Sequence, residues 1–103
     1  MTEKRKPHYV LATIQALTVE RGVAAFTKSA LDGGRAMGLT SAEMLDVIAS
    51  LSGAEFYKAM TTHQDHRVWR DVYHAPTPVG VEAYIKVTLR EGALVISFKE
   101  KGT

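Results

Sequence analysis

The chain of 103 residues contains no cysteine. Disulfides, thiolate nucleophiles and Cys-type zinc sites are therefore excluded, and a reducing compartment fits. No apolar run approaches the ~20 residues that a membrane-spanning helix needs. Met1 leads into Lys4-Arg5-Lys6 without an apolar stretch behind it, so no secretory signal is expected and the cytoplasm is the expected location. Acidic clusters of the kind that hold a metal are missing. The four histidines, at positions 8, 63, 66 and 74, lack a metal-ligand spacing. No metal and no cofactor are expected. A strong excess of one charge is lacking as well: the formal net charge of +2 permits an anionic partner without demanding one.

What is present suits one α+β domain spanning 1–103. Hydrophobic residues make up 46% and charged residues 23% of the chain, ordinary values for a globular protein, and the length allows one core. Residues 1–6 read as a solvated, frayed basic terminus. From Tyr9 to Glu20, Val10, Ile14 and Leu17 recur at helical spacing, and Arg21-Gly22 supplies a stop. Val23 to Phe26 fits a short strand. Thr27 to Met37 predicts a second helix despite Gly33-Gly34, each glycine costing ~1 kcal/mol relative to alanine. Thr40-Ser41-Ala42-Glu43 has the capping-box pattern, so a third helix should start at Ser41.

Beyond Gly53 the period changes to two. Val81, Ala83, Ile85, Val87 and Leu89 alternate with Glu82, Tyr84, Lys86, Thr88 and Arg90, and Leu94, Ile96 and Phe98 alternate with Val95, Ser97 and Lys99. Val68–Tyr73 and Phe56–Met60 complete four predicted strands. Helices grouped on one face of a mainly antiparallel sheet are the expected architecture. With Glu91-Gly92 as a two-residue turn, Leu89 pairs with Leu94, Val87 with Ile96 and Ile85 with Phe98, all on one face. The other face then sets Tyr84 opposite Lys99 and Lys86 opposite Ser97, with Cβ atoms ~5 Å apart.

That juxtaposition points to phosphodiester chemistry. Cleaving RNA without a metal requires a base for the 2′-hydroxyl, fixed cations for the phosphoryl oxygens and an acid for the departing 5′-oxygen. Lys, Arg, Tyr and His can share those tasks. The same pair also fits an ordinary solvated sheet surface. His66 has Asp65 beside it as a possible orienting group. Trp69 and Tyr73 share a strand face, where they would either stack bases or fill the core.

The densest stretch of such residues runs from Phe56-Tyr57-Lys58 through Met60-Thr61-Thr62, Asp65-His66 and Trp69 to Asp71-Val72-Tyr73. Together with Pro7-His8, Ser29-Ala30-Leu31, Gly38-Leu39, Tyr84, Lys86 and Ser97-Phe98-Lys99-Glu100-Lys101, it resembles the MqsR family of bacterial toxins. The resemblance implies a RelE-like fold and a ribosome-independent endoribonuclease, or mRNA interferase, cutting single-stranded mRNA at short GC-containing sites. It also implies a cognate MqsA-like antitoxin with a zinc-binding half and a helix-turn-helix half.

Family active-site positions correspond to Lys58, Tyr84 and Lys99, with Arg70 standing where glutamine is common. Catalysis is thus expected from Lys58, Arg70, Tyr84 and Lys99, and RNA contact from Thr62, His66 and Lys86. Arginine grips phosphate bidentately whereas glutamine can read a base edge, so Arg70 and the altered segment 75–80 bear on cleavage preference. The alternative is a non-catalytic homologue that binds RNA or the antitoxin through the same basic sheet face.

Overall fold

The structure, a computed structural model, describes residues 2–102; the ends of the 1–103 span, Met1 and Thr103, lie outside the described residues. Five strands form one antiparallel sheet in chain order: β1 (Glu3–Lys4), β2 (Phe56–Thr61), β3 (Trp69–Ala75), β4 (Ala83–Arg90) and β5 (Ala93–Glu100). Three helices, α1 (Leu11–Arg21), α2 (Lys28–Ala36) and α3 (Ser41–Ala49), precede β2 in the chain. Ile14, Ala30, Met44 and Ile48 from the helices and Tyr73, Ile85, Val87, Ile96 and Phe98 from the strands form a single buried cluster. The α+β class expected from the change of period is therefore the one observed, with helices against one face of the sheet.

Local chemistry accounts for the helix ends. Thr40 accepts from the backbone N–H of Glu43 while the Glu43 carboxylate accepts from that of Thr40, so α3 starts at Ser41 as its capping box predicts. Thr27 caps α2 through Ala30. Gln15 donates from its side-chain amide to the carbonyls of Ile48, Ala49 and Leu51, tying α1 to the end of α3. The Gly33-Gly34 pair is a packing requirement. A methyl group on Gly33 would collide with the backbone carbonyl of Phe98, and one on Gly34 with the side chain of Met44. The helix gives up propensity there so that it can lie directly on β5.

Three expectations are corrected. Val23 to Phe26 is no strand: Gly22–Ala25 forms a 3₁₀ turn, and only Phe26 makes a bridge, parallel to Ile96. Val10 belongs to no apolar stripe; it precedes α1 and is 69% exposed, while Thr18 takes a buried position. The basic terminus is not frayed at Glu3 and Lys4, which pair with Met60 and Ala59. The buried Asp71 carboxylate accepts from the backbone N–H groups of His8 and Tyr9, and Tyr9 donates its hydroxyl to the carbonyl of Trp69. Burial pushes the Asp71 carboxyl up from its ordinary range, and the two N–H groups oppose that shift.

Candidate active site

The hairpin positions the site. Glu91 (φ 52°) and Gly92 (φ 80°) form its turn with positive φ at both central residues, the conformation that matches strand twist in two-residue hairpins. The resulting register pairs Tyr84 with Lys99, Lys86 with Ser97 and Arg90 with Ala93, as the pattern of apolar partners predicts. These polar residues lie on the face of the sheet away from the helices.

Pairing carries the arrangement across all four long strands. One row runs His74–Tyr84–Lys99; the next runs Lys58–Val72–Lys86–Ser97; Met60 and Arg70 begin a third. Successive rows are two residues apart along a strand, roughly 7 Å. Val72 is fully buried although it lies on the open face between two lysines.

The rows divide into an aromatic end and a cationic end. At the aromatic end a β-bulge interrupts pairing between Phe56 and Lys58. Phe56 packs inward against Tyr73, whereas Tyr57 stacks on His74 with ring centroids 4.3 Å apart. His74 in turn meets Tyr84 at 5.3 Å. Lys99 lies 5.6 Å and Lys86 5.9 Å from the Tyr84 ring centroid. Lys58 donates to the Glu3 carboxylate at 2.8 Å. That bond raises the lysine above its ordinary range and lowers Glu3 below its own. The Nε2 atom of His74 is buried without a hydrogen-bond partner, and burial followed by the nearby Lys101 charge lowers this imidazole below the usual histidine range.

The cationic end is a groove of about 570 Å³. Arg70, Lys86 and Arg90 line it together with Thr62, Gln64 and Ser97, and Thr27 and Ser29 contribute from the start of α2. Among the described residues none of the three cations has a salt bridge. Burial, then repulsion from Arg70 and Lys99, lowers Lys86 below the usual ammonium range. Asp65 also borders the groove, but its carboxylate accepts from the Arg67 backbone and guanidinium. Those bonds to Arg67, helped by the Arg90 charge, hold the carboxyl below the ordinary carboxylate range. A cavity in which cations and hydroxyls outnumber this one carboxylate is chemically suited to phosphate.

Six of the seven expected site residues thus share one face: Lys58, Tyr84 and Lys99 at the aromatic end, Thr62 and Arg70 in the groove, and Lys86 joining the two. His66 does not join them. It is exposed on the β2–β3 connection, and Asp65, its expected orienting partner, is engaged by Arg67. Of the two readings of Trp69 and Tyr73, packing is the one observed. Tyr73 is buried in the core, and Trp69 lies under His8 at 5.0 Å, with the Lys4 ammonium 4.2 Å from its ring centroid. Sequence reasoning missed Tyr57, His74 and Arg90. Period two along β4 already groups Arg90 with Lys86 and Tyr84, whereas Tyr57 and His74 depend on the bulge and the β3–β4 register.

Comparison with known proteins bears on the family of the chain. Residues 6–100 match the family model described as the motility quorum-sensing regulator, toxin of MqsA. The chain is also 43% identical over 99 residues to the mRNA interferase toxin MqsR of Escherichia coli strain K12, covering 96% of this chain and 99% of that protein.

Proposed function

The chain belongs to the MqsR toxin family, and from that premise we propose that it is an endoribonuclease acting on single-stranded mRNA without a ribosome or a metal ion. The observation that carries the reading is the shared open face, on which Tyr84 has Lys86 and Lys99 beside its ring, next to a groove lined by Arg70, Lys86 and Arg90. Lys58 and Lys99 neutralise the scissile phosphate. Arg70 grips its oxygens as charge builds on them, and Tyr84 takes part in proton transfer. The 2′-oxygen loses its proton and attacks phosphorus; the bond to the 5′-oxygen breaks, and that oxygen is protonated. The products are a 2′,3′-cyclic phosphate and a 5′-hydroxyl. Thr62 and Lys86 bind the strand along the groove, and His66 contributes only contact on the outlying loop.

Short GC-containing sites are the expected targets, with Arg70 and the segment 75–80 shifting the preference within them. An MqsA-like antitoxin, with a zinc-binding half and a helix-turn-helix half, is the proposed protein partner. The test is incubation of the purified protein with defined RNA in EDTA, without ribosomes, followed by mapping of both new ends. Cleavage leaving 5′-hydroxyl ends is expected. An absolute requirement for Mg²⁺ or for translating ribosomes would overturn the reading.

A further inference from the structure

We propose that the Tyr57 ring, backed by His74 and Tyr84, is a stacking platform for one unpaired nucleobase of the RNA. The inference rests on the endoribonuclease reading and assigns a base-holding subsite to its aromatic end. In a regular strand Tyr57 and Lys58 would point to opposite faces. The bulge between Phe56 and Lys58 instead brings both to the open face. One side of the Tyr57 ring rests on the His74 imidazole at 4.3 Å and an interplanar angle of 23°. The residue nevertheless remains 44% exposed, among the few large hydrophobic side chains so open to solvent. Its hydroxyl makes no hydrogen bond among the described residues, so the ring is not held there by a polar contact of its own.

The surroundings suit a base followed by its phosphate. The Lys58 ammonium lies 5.5 Å from the Tyr57 ring centroid, and Lys99 flanks Tyr84 at the other side of the stack. A flat, supported ring binds any base through its π-face, while the adjacent lysines receive the scissile phosphate next to that base. His74 serves as the positioning residue: it fills the space beneath Tyr57 and holds that ring in plane before RNA arrives.

The experiment uses the intact protein and a 2′-fluoro RNA oligonucleotide, which lacks the attacking hydroxyl. A series of such oligonucleotides carries one abasic position each. Binding is measured for wild type, Tyr57→Ala, Tyr57→Leu and Tyr57→Phe. Tyr57→Ala should weaken binding roughly 5- to 150-fold. Tyr57→Leu, which keeps apolar volume but loses the flat ring, should behave like Tyr57→Ala, and Tyr57→Phe like wild type. At one abasic position the difference between Tyr57→Ala and wild type should vanish, because the base that stacks is already gone. Equal affinities for wild type and Tyr57→Leu, or a penalty that is the same at every abasic position, would overturn the subsite alone. Wild-type protein that binds no member of the series would overturn the endoribonuclease reading along with it.

Discussion

The two ends of the open face use cations differently. In the groove Arg70, Lys86 and Arg90 have no salt bridge among the described residues, and Asp65, already bonded to Arg67, bears on Arg90 only at longer range. At the aromatic end Lys58 is already held by Glu3, and the rings of Tyr57, His74 and Tyr84 occupy the surface between the lysines. A cluster with an excess of positive charge raises the energy of the free protein and relaxes when an anion enters, so it favours binding. A phenol and an imidazole set among ammonium groups offer protons that can move. The difference teaches how one sheet face can divide its work; in the function proposed above, the groove captures the strand and the row containing Tyr84 and Lys99 acts on it.

The sharpest way to break that division is Tyr84→Phe. If the hydroxyl transfers a proton, the cleavage rate should fall roughly 10²–10⁴-fold. Affinity for uncleavable RNA should change by no more than a few-fold, because the ring and both neighbouring lysines remain. Single-turnover cleavage and equilibrium binding on the same RNA separate the two quantities. A matched loss in both would mean that the aromatic end merely binds.

Arg70 tests the boundary between the ends, since it lines the groove yet is proposed to act on the scissile phosphate. Arg70→Ala should slow cleavage by roughly 10²–10³-fold, the scale set by removing one donor to a developing oxyanion. Arg70→Gln should lose less, because a donor remains, and it should redistribute cleavage among sites. Mapping cut positions and rates on one long RNA distinguishes these outcomes. Identical maps and rates for all three proteins would reduce Arg70 to a solvated strand residue.

How much of this was legible in the sequence depended on how local the cause was. The capping box of α3 and the Glu91-Gly92 turn are set within a few residues, and both appear where the chain predicts them. The hairpin register followed from apolar alternation, and with it the facing of Tyr84 and Lys99. The stack of Tyr57 on His74 was not legible, because a bulge reverses the facing that period two assigns. Nor was the Glu3–Lys58 contact, which joins residues 55 positions apart through a two-residue edge strand. His66 shows the converse error. Its neighbour Asp65 suggested an oriented imidazole, but a carboxylate in a turn bonds more readily to the backbone N–H two residues on, here that of Arg67, and to the Arg67 guanidinium.

The smallest effect should come from Glu3, and it bears on the comparison most directly. At 2.8 Å from Lys58 its carboxylate occupies the ammonium that the scissile phosphate would need. The Lys58 side chain is only 20% exposed, so the lysine cannot swing far to serve both partners. Glu3→Gln should therefore tighten binding of uncleavable RNA by roughly two- to five-fold, the modest scale of partly exposed ion pairs. It should also steepen the salt dependence, because Lys58 then enters fully into phosphate neutralisation at ~0.7 per phosphate on a single strand. The wild-type protein offers a parallel test by acid. Hydrogen bonding to Lys58 holds Glu3 below the ordinary carboxylate range, so the bridge survives mild acidification and is lost only as pH falls through that lowered value. Between pH 7 and pH 5 the difference between wild type and Glu3→Gln should thus stay constant. A difference that disappears already at pH 5, or affinity unchanged by Glu3→Gln at low salt, would mean that Lys58 is not restrained by Glu3, and that the two ends of the face hold their cations alike.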